Sequence, residues 1–201
     1  MTARAEATER TDARSLVQGG MMLGLVTTIG VALFALASRV LGGSGEIVVQ
    51  SVLVLVAGVV FAFWPAAVVR PASTDGIAWA ALVGLLGALT FTVLDTALLR
   101  PLELYHWSWD QIGGGSGFWY IPVWWMGSAV VAWLGAWAAA ESHAAEPAQL
   151  VQPAVRTVAT AIVLFGILGV AVAPFTTAVM ALAFALALPA NLLLVKLLGR
   201  R

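Results

Sequence analysis

The 201-residue chain has no cysteine and little charge, with Asp, Glu, Lys and Arg making up only 10% of it. Without cysteine there is no disulfide, no thiolate-bound metal and no cysteine nucleophile, although the redox compartment stays open. Soluble domains are about 25% charged and about 45–50% apolar. This chain is 61% hydrophobic, so its charge and apolar content together exclude a soluble globular enzyme and a disordered tail. A nucleic-acid binder is excluded as well, because 10 Lys and Arg are balanced by 10 Asp and Glu. Histidine occurs only at His106 and His143, and no serine sits in a Gly-x-Ser-x-Gly elbow.

What is abundant is long apolar sequence. A membrane-spanning helix needs about 20 mostly apolar residues. Six stretches meet that length, near 17–41, 47–69, 76–99, 118–140, 154–173 and 175–198. Turn residues separate them: Gly42-Gly43-Ser44-Gly45, Arg70-Pro71-Ala72-Ser73, a longer segment at 100–117, a polar linker from Glu141 to Pro153, and Pro174. Proline removes a backbone donor and disfavours helix just before it, so a break at Pro174 is expected rather than one very long helix. The expected fold class is therefore an all-α polytopic integral membrane protein of six transmembrane helices. Residues 1–16 mix Arg4, Arg10 and Arg14 with Glu6, Glu9 and Asp12, which reads as a polar cytoplasmic tail and not as the basic start of a signal peptide. Residues 17–201 read as one transmembrane domain.

With six spans, the two tails and the even-numbered loops share one face. That face collects Arg4, Arg10, Arg14, Arg70, Arg156, Lys196, Arg200 and Arg201, whereas the other face has Arg39 and Arg100. The positive-inside rule then puts both termini in the cytoplasm, with the chain in an inner (plasma) membrane. Trp64, Trp79 and Trp137 fall near the expected inner interface, and Trp119 and Tyr120 near the outer one, as interfacial aromatics do. Gly20-x-x-x-Gly24 allows close helix approach, read here as packing within one bundle.

One outer-side region, Leu94 to Met126, departs from this pattern. Asp95 lies about one turn inside the third span, where an ionisable residue is costly and marks a functional position by default. Its nearest partner in sequence is Arg100, just before Pro101. The alternative is an interfacial Asp that snorkels or caps backbone. Beyond Pro101, Leu102, Tyr105, Trp109 and Ile112 recur at helical spacing, with Glu103, His106 and Asp110 on a neighbouring face. This predicts a short interfacial or re-entrant helix between the third and fourth spans, ended by Gly113-Gly114-Gly115.

Glu103-x-x-His106 puts two potential ligands on one helical face. Di-iron bundles need that motif twice plus further carboxylates, and His143 is expected on the other side of the membrane, so no metal site is expected. His106 and Asp110, four residues apart, fit a proton carrier or pH sensor, or else a solvated polar face. Gly113-Gly114-Gly115-Ser116-Gly117 lacks the Lys and Ser/Thr of a P-loop and reads as a sharp turn back into the membrane. Trp124, Trp125 and Trp133 lie deeper than a belt requires, either walling a pocket for an apolar ligand or packing between helices. Asn191, after Pro189, reads as a hydrogen bond across helices.

Leu94-Asp95, an apolar stretch, Trp107-Ser108-Trp109, a glycine-rich turn and Tyr120-Ile121-Pro122 follow in an order that resembles carotenoid-modifying membrane proteins, the membrane lycopene cyclases and carotenoid hydratases. In those families an Asp near a span end precedes a Trp-containing loop and a Pro-led helix. The spacing from Asp95 to Trp125 is also similar to that of small uncharacterised bacterial inner-membrane proteins. The resemblance spans residues 94–126. Where the cyclases carry acidic residues after the proline, this chain has Val123-Trp124-Trp125.

The expected function is binding or modification of an isoprenoid or lipid-like apolar molecule in a Trp-lined outer cleft between the third and fourth spans. Asp95, His106 and Asp110 are the catalytic candidates, and Arg100, Trp107, Trp109, Trp124 and Trp125 the ligand-binding ones. No cofactor is assigned, and the expected partners are the bilayer, that apolar ligand and other membrane subunits. The alternatives are a non-catalytic subunit of a larger membrane complex, or a small transporter.

Overall fold

The computed structural model describes residues 11–104, 124–142, 144, 146–171 and 174–198. These form six α-helices and, among the described residues, no strand: α1 (Ala13–Val40), α2 (Gly43–Val69), α3 (Thr74–Leu94), α4 (Gly127–Glu141), α5 (Val151–Ala171) and α6 (Thr177–Leu198). A π-helical turn, Asp95–Leu99, prolongs α3, and a 3-10 turn, Pro147–Leu150, leads into α5. Five helices, all but α4, are long and apolar enough to cross a membrane. Residues 124–126 enter α4 as a further π turn, and the earlier part of the expected fourth span lies outside the described residues. The architecture is that of a helical multi-pass membrane protein.

Local chemistry sets the helix ends, and two of them differ from expectation. The carboxylate of Asp12 accepts from the Ser15 N–H, so α1 starts at Ala13, ahead of the first apolar stretch. Likewise α2 begins at Gly43, whose φ of 60° suits glycine, so only Leu41 and Gly42 remain outside helix where a four-residue turn was expected. The turn between α2 and α3 is as the sequence implies. Arg70 closes α2 in the left-handed conformation, its N–H donating to the Ala66 carbonyl, and Pro71 prevents continuation. Ser73 then caps α3 through the Gly76 N–H at 3.0 Å. The break around Pro174 also falls where expected, between α5 and α6.

The helices alternate in direction, which defines two ends of the bundle. One end, here the terminal end, holds Ala13, the Arg70–Ser73 turn and the α4–α5 connection. The far end holds the α1–α2 turn, the end of α3 and the start of α6. Among the described cations, Arg14, Arg70, Arg156 and Lys196 lie at the terminal end, and Arg39 and Arg100 at the far end.

Helix α2 is the hub and touches all five others. Its core-facing residues Ala62, Phe63, Ala66 and Val69 pack with Val83 of α3, Ala136 and Ala139 of α4, and Phe184 and Leu188 of α6. Small residues allow this density, because lipid tails give no hydrophobic drive between helices and close contact must supply it. A Cβ added to Gly24 would fall 2.5 Å from Thr90 Cβ and 2.7 Å from the Gly87 carbonyl oxygen. Gly20-x-x-x-Gly24 is thus a seam between α1 and α3. Gly135 packs just as tightly on the Ala62 backbone, joining α4 to α2.

Hydroxyls within the spans bond back to their own helices. Thr27, Thr28, Thr90, Thr92, Thr157 and Thr160 each donate to the carbonyl four residues earlier, so no polar partner from another helix is required.

Candidate functional site

Asp95 sits at the junction of α3 and its π turn, and only 1% of it is exposed. A π turn shifts the hydrogen-bond register by one residue, here seen as Arg100 N–H donating to the Asp95 carbonyl. That register brings the side chains of residues 95 and 100 together. Arg100 Nε lies 3.1 Å from Asp95 Oδ2, with the arginine side chain 36% exposed and the carboxylate buried. The acid is therefore held inside while its counter-charge reaches toward the surface.

The segment after the π turn is not a helix over residues 101–104. It is a turn in which Glu103 adopts a positive φ of 48°. A left-handed residue interrupts helical progression, so the expected short helix does not begin at Pro101. Arg39, on α1, donates to the Glu103 carbonyl and ties this turn to the neighbouring helix. Both far-end cations thus hold residues 95–104 in place, one through a carboxylate and one through a backbone oxygen.

Trp124 and Trp125 face this segment from the start of α4. The rings of Trp124 and Phe91 are 4.6 Å apart and tilted by 43°. The Trp125 indole N–H donates to Thr92 Oγ1 at 3.0 Å, and that hydroxyl itself donates to the Ala88 carbonyl at 2.8 Å. Of the ligand-binding candidates, Arg100, Trp124 and Trp125 therefore lie around the end of α3 with Asp95. Trp133 does not join them. It stacks on Trp137 with centroids 5.1 Å apart, toward the terminal end. Trp137 in turn donates to Glu141 and carries Lys196 Nζ 4.3 Å above its ring. His106, Trp107, Trp109 and Asp110, like the glycine run, Trp119, Tyr120, Pro122 and His143, lie outside the described residues. Among the described residues no group of three or more His, Cys, Asp or Glu could hold a metal.

Two polar clusters accompany this site. At the far end Gln50, buried in α2, donates to Ser38 Oγ at 2.6 Å and to Glu46 Oε1 at 3.0 Å, and accepts from Thr177 Oγ1 at 2.9 Å. This ties α1, α2 and α6 together. Gln50 carries no distinctive sequence signal, because an amide a few residues into a span resembles an ordinary interfacial residue. Deeper in the bundle, Asn191 Oδ1 lies 3.2 Å from the Thr160 hydroxyl across α5 and α6, the contact anticipated for it, where it shares that hydroxyl's one proton with the Arg156 carbonyl. Among the described residues its buried Nδ2 has no partner.

Comparison with known proteins adds no family: no protein-family model, curated protein or solved structure matches the chain.

Proposed function

We propose that the chain is an inner-membrane protein that binds or modifies an isoprenoid or lipid-like apolar molecule at the far end, between α3 and α4. The observation that carries this reading is a buried carboxylate, Asp95, paired with a surface-reaching Arg100, about one turn beyond Phe91 and Thr92, on which Trp124 and Trp125 pack. Ionisable groups inside a span are costly to keep and mark functional positions by default. The surrounding surface suits a greasy ligand, with Val93, Leu98, Leu102, Met126 and Val130 all exposed. A ligand lying along these residues would bring a double bond or polar head against the Asp95–Arg100 pair. Arg100 orients or releases the carboxylate, and Asp95 serves as the acid or base toward that group. The resemblance of residues 94–126 to carotenoid-modifying proteins supports the isoprenoid class and brings His106, Trp107, Trp109 and Asp110 into the same reading. The uneven cation distribution supports placing both termini, and hence the terminal end, in the cytoplasm.

The test is extraction of the purified protein. An isoprenoid or lipid-like molecule should co-purify, and Asp95→Asn and His106→Ala should reduce its retention or conversion. A clean extract, with cellular function intact in both variants, would overturn the proposal.

A non-catalytic subunit is the second reading, and α5 favours it. This helix is loosely held, with Val155, Ile162, Val163, Ile167 and Val170 exposed and open space beside Gly166. Another subunit's helix could pack there. Co-purification of a stoichiometric partner in mild detergent supports that reading, and a solitary monomer counts against it.

A further inference from the structure

At the opposite end of the bundle from Asp95, α1 and α2 diverge around an open groove of about 320 Å³, within the size range of small-molecule sites. Its floor is apolar, formed by Met22, Trp64, Ala67 and Val68, and its mouth is polar, with Ser15 and Gln18. The two helices run antiparallel, with Trp64 Nε1 donating to the Gly19 carbonyl at 3.1 Å and Val68 packed on the same glycine. Residues before Gly19 on α1 therefore lie level with those after Val68 on α2. Arg14, next to Ser15, and Arg70, two residues past Val68, therefore flank that end of the groove without lining it.

Neither arginine is in an ion pair among the described residues. Among the described residues, Arg70 Nε is buried with no hydrogen-bond partner. The carboxylate nearest to Arg14 in sequence, Asp12, is engaged in capping α1 through Ser15. The positive end of the α1 dipole points the same way. A cationic, hydrogen-bonding mouth above an apolar trough, at the level where a membrane helix leaves the hydrocarbon, matches an amphiphile with an anionic head and an apolar tail.

We propose that this groove binds one anionic phospholipid, with its phosphodiester at Arg14 and Arg70 and an acyl chain along Met22, Trp64 and Ala67. The guanidinium fork suits a phosphate oxygen pair, and the indole of Trp64 suits the interfacial level. This site is independent of the proposed ligand at Asp95.

Native mass spectrometry of the intact chain in mild detergent tests it, titrating phosphatidylglycerol against phosphatidylcholine. One phosphatidylglycerol should bind in preference to phosphatidylcholine, and inorganic phosphate should not displace it. Arg14→Gln and Arg70→Gln should each weaken binding about fivefold, the scale of one cation near an anionic lipid surface. Ala67→Phe, which fills the trough and leaves the charges intact, should weaken both the phosphatidylglycerol complex and any residual phosphatidylcholine complex. Equal binding of the two lipids, displacement by inorganic phosphate, or unchanged affinity in Ala67→Phe overturns the proposal. Arg14 is exposed in the first turn of α1, so its variant retains the fold and reports on the charge alone.

Discussion

The indole N–H of Trp125 meets the hydroxyl of Thr92 at 3.0 Å, one turn before Asp95. This bond couples the start of α4 to the end of α3 where the candidate site lies. Trp125→Phe keeps most of the ring but loses the donor, so it should cost about 0.6 kcal/mol, as membrane interhelical bonds average. Thr92→Val should cost a similar amount. The double variant should cost less than the sum of the two, because one bond is lost in each. Thermal unfolding in detergent measures this, and full additivity would show that the two side chains are not coupled.

Asp95 and Arg100 should respond unequally to removal. Arg100→Gln leaves a buried carboxylate without its counter-charge and should cost about 2 kcal/mol. That is below the roughly 3–5 kcal/mol of a fully buried pair, because Arg100 is partly exposed and screened. Asp95→Asn removes the buried charge itself and should cost less. Comparing the two melting temperatures tests the order, and a larger loss in Asp95→Asn would contradict it.

The α1–α3 seam separates two glycines of similar sequence context. Gly24→Ala should destabilise by about 1–3 kcal/mol, since its methyl collides with Thr90 and with the Gly87 backbone. Gly30→Ala meets open space and should be neutral or stabilise by up to about 1 kcal/mol through the helix preference for alanine. Both variants are read by the same unfolding measurement, and equal effects would remove the seam as an explanation.

The two buried amides should behave oppositely. Gln50→Leu breaks three bonds joining α1, α2 and α6, and at about 0.6 kcal/mol each should cost roughly 2 kcal/mol. Asn191→Leu removes an amide nitrogen that has no partner among the described residues, and the single proton of Thr160 then goes wholly to the Arg156 carbonyl, so stability should hold or rise. A large loss of stability in Asn191→Leu would mean that a group beyond the described residues satisfies that nitrogen.

Much of the helix layout is legible in the order of residues alone. Hydropathy sums over a span are large, so five spans, the later part of the fourth and the Pro174 break read directly from composition along the chain. Asp95 and Arg100 pair on sequence grounds because both are rare charges close together, and Asn191 calls for a partner because an amide in a span must find one. The π turn is not legible, since a change of hydrogen-bond register leaves no mark in residue type. Nor is the left-handed Glu103, which keeps residues 101–104 from starting the helix expected at Pro101. The starts of α1 and α2 differ from expectation because a single cap, at Asp12, and one tight turn, at Gly43, outweigh composition. The central place of α2 is hidden for a different reason. Lipid and protein core are equally apolar, so alternation of polarity cannot show which face of Ala62, Phe63 and Ala66 turns inward; only the small size of the alanines hints at it.

Asp95 and Arg100 lie five positions apart on one helix end, so their contact forms within a single segment. It can therefore close while α3 is still alone at the translocation machinery, before the bundle assembles. The nascent segment then presents the lipid with a compensated pair in place of a bare carboxylate.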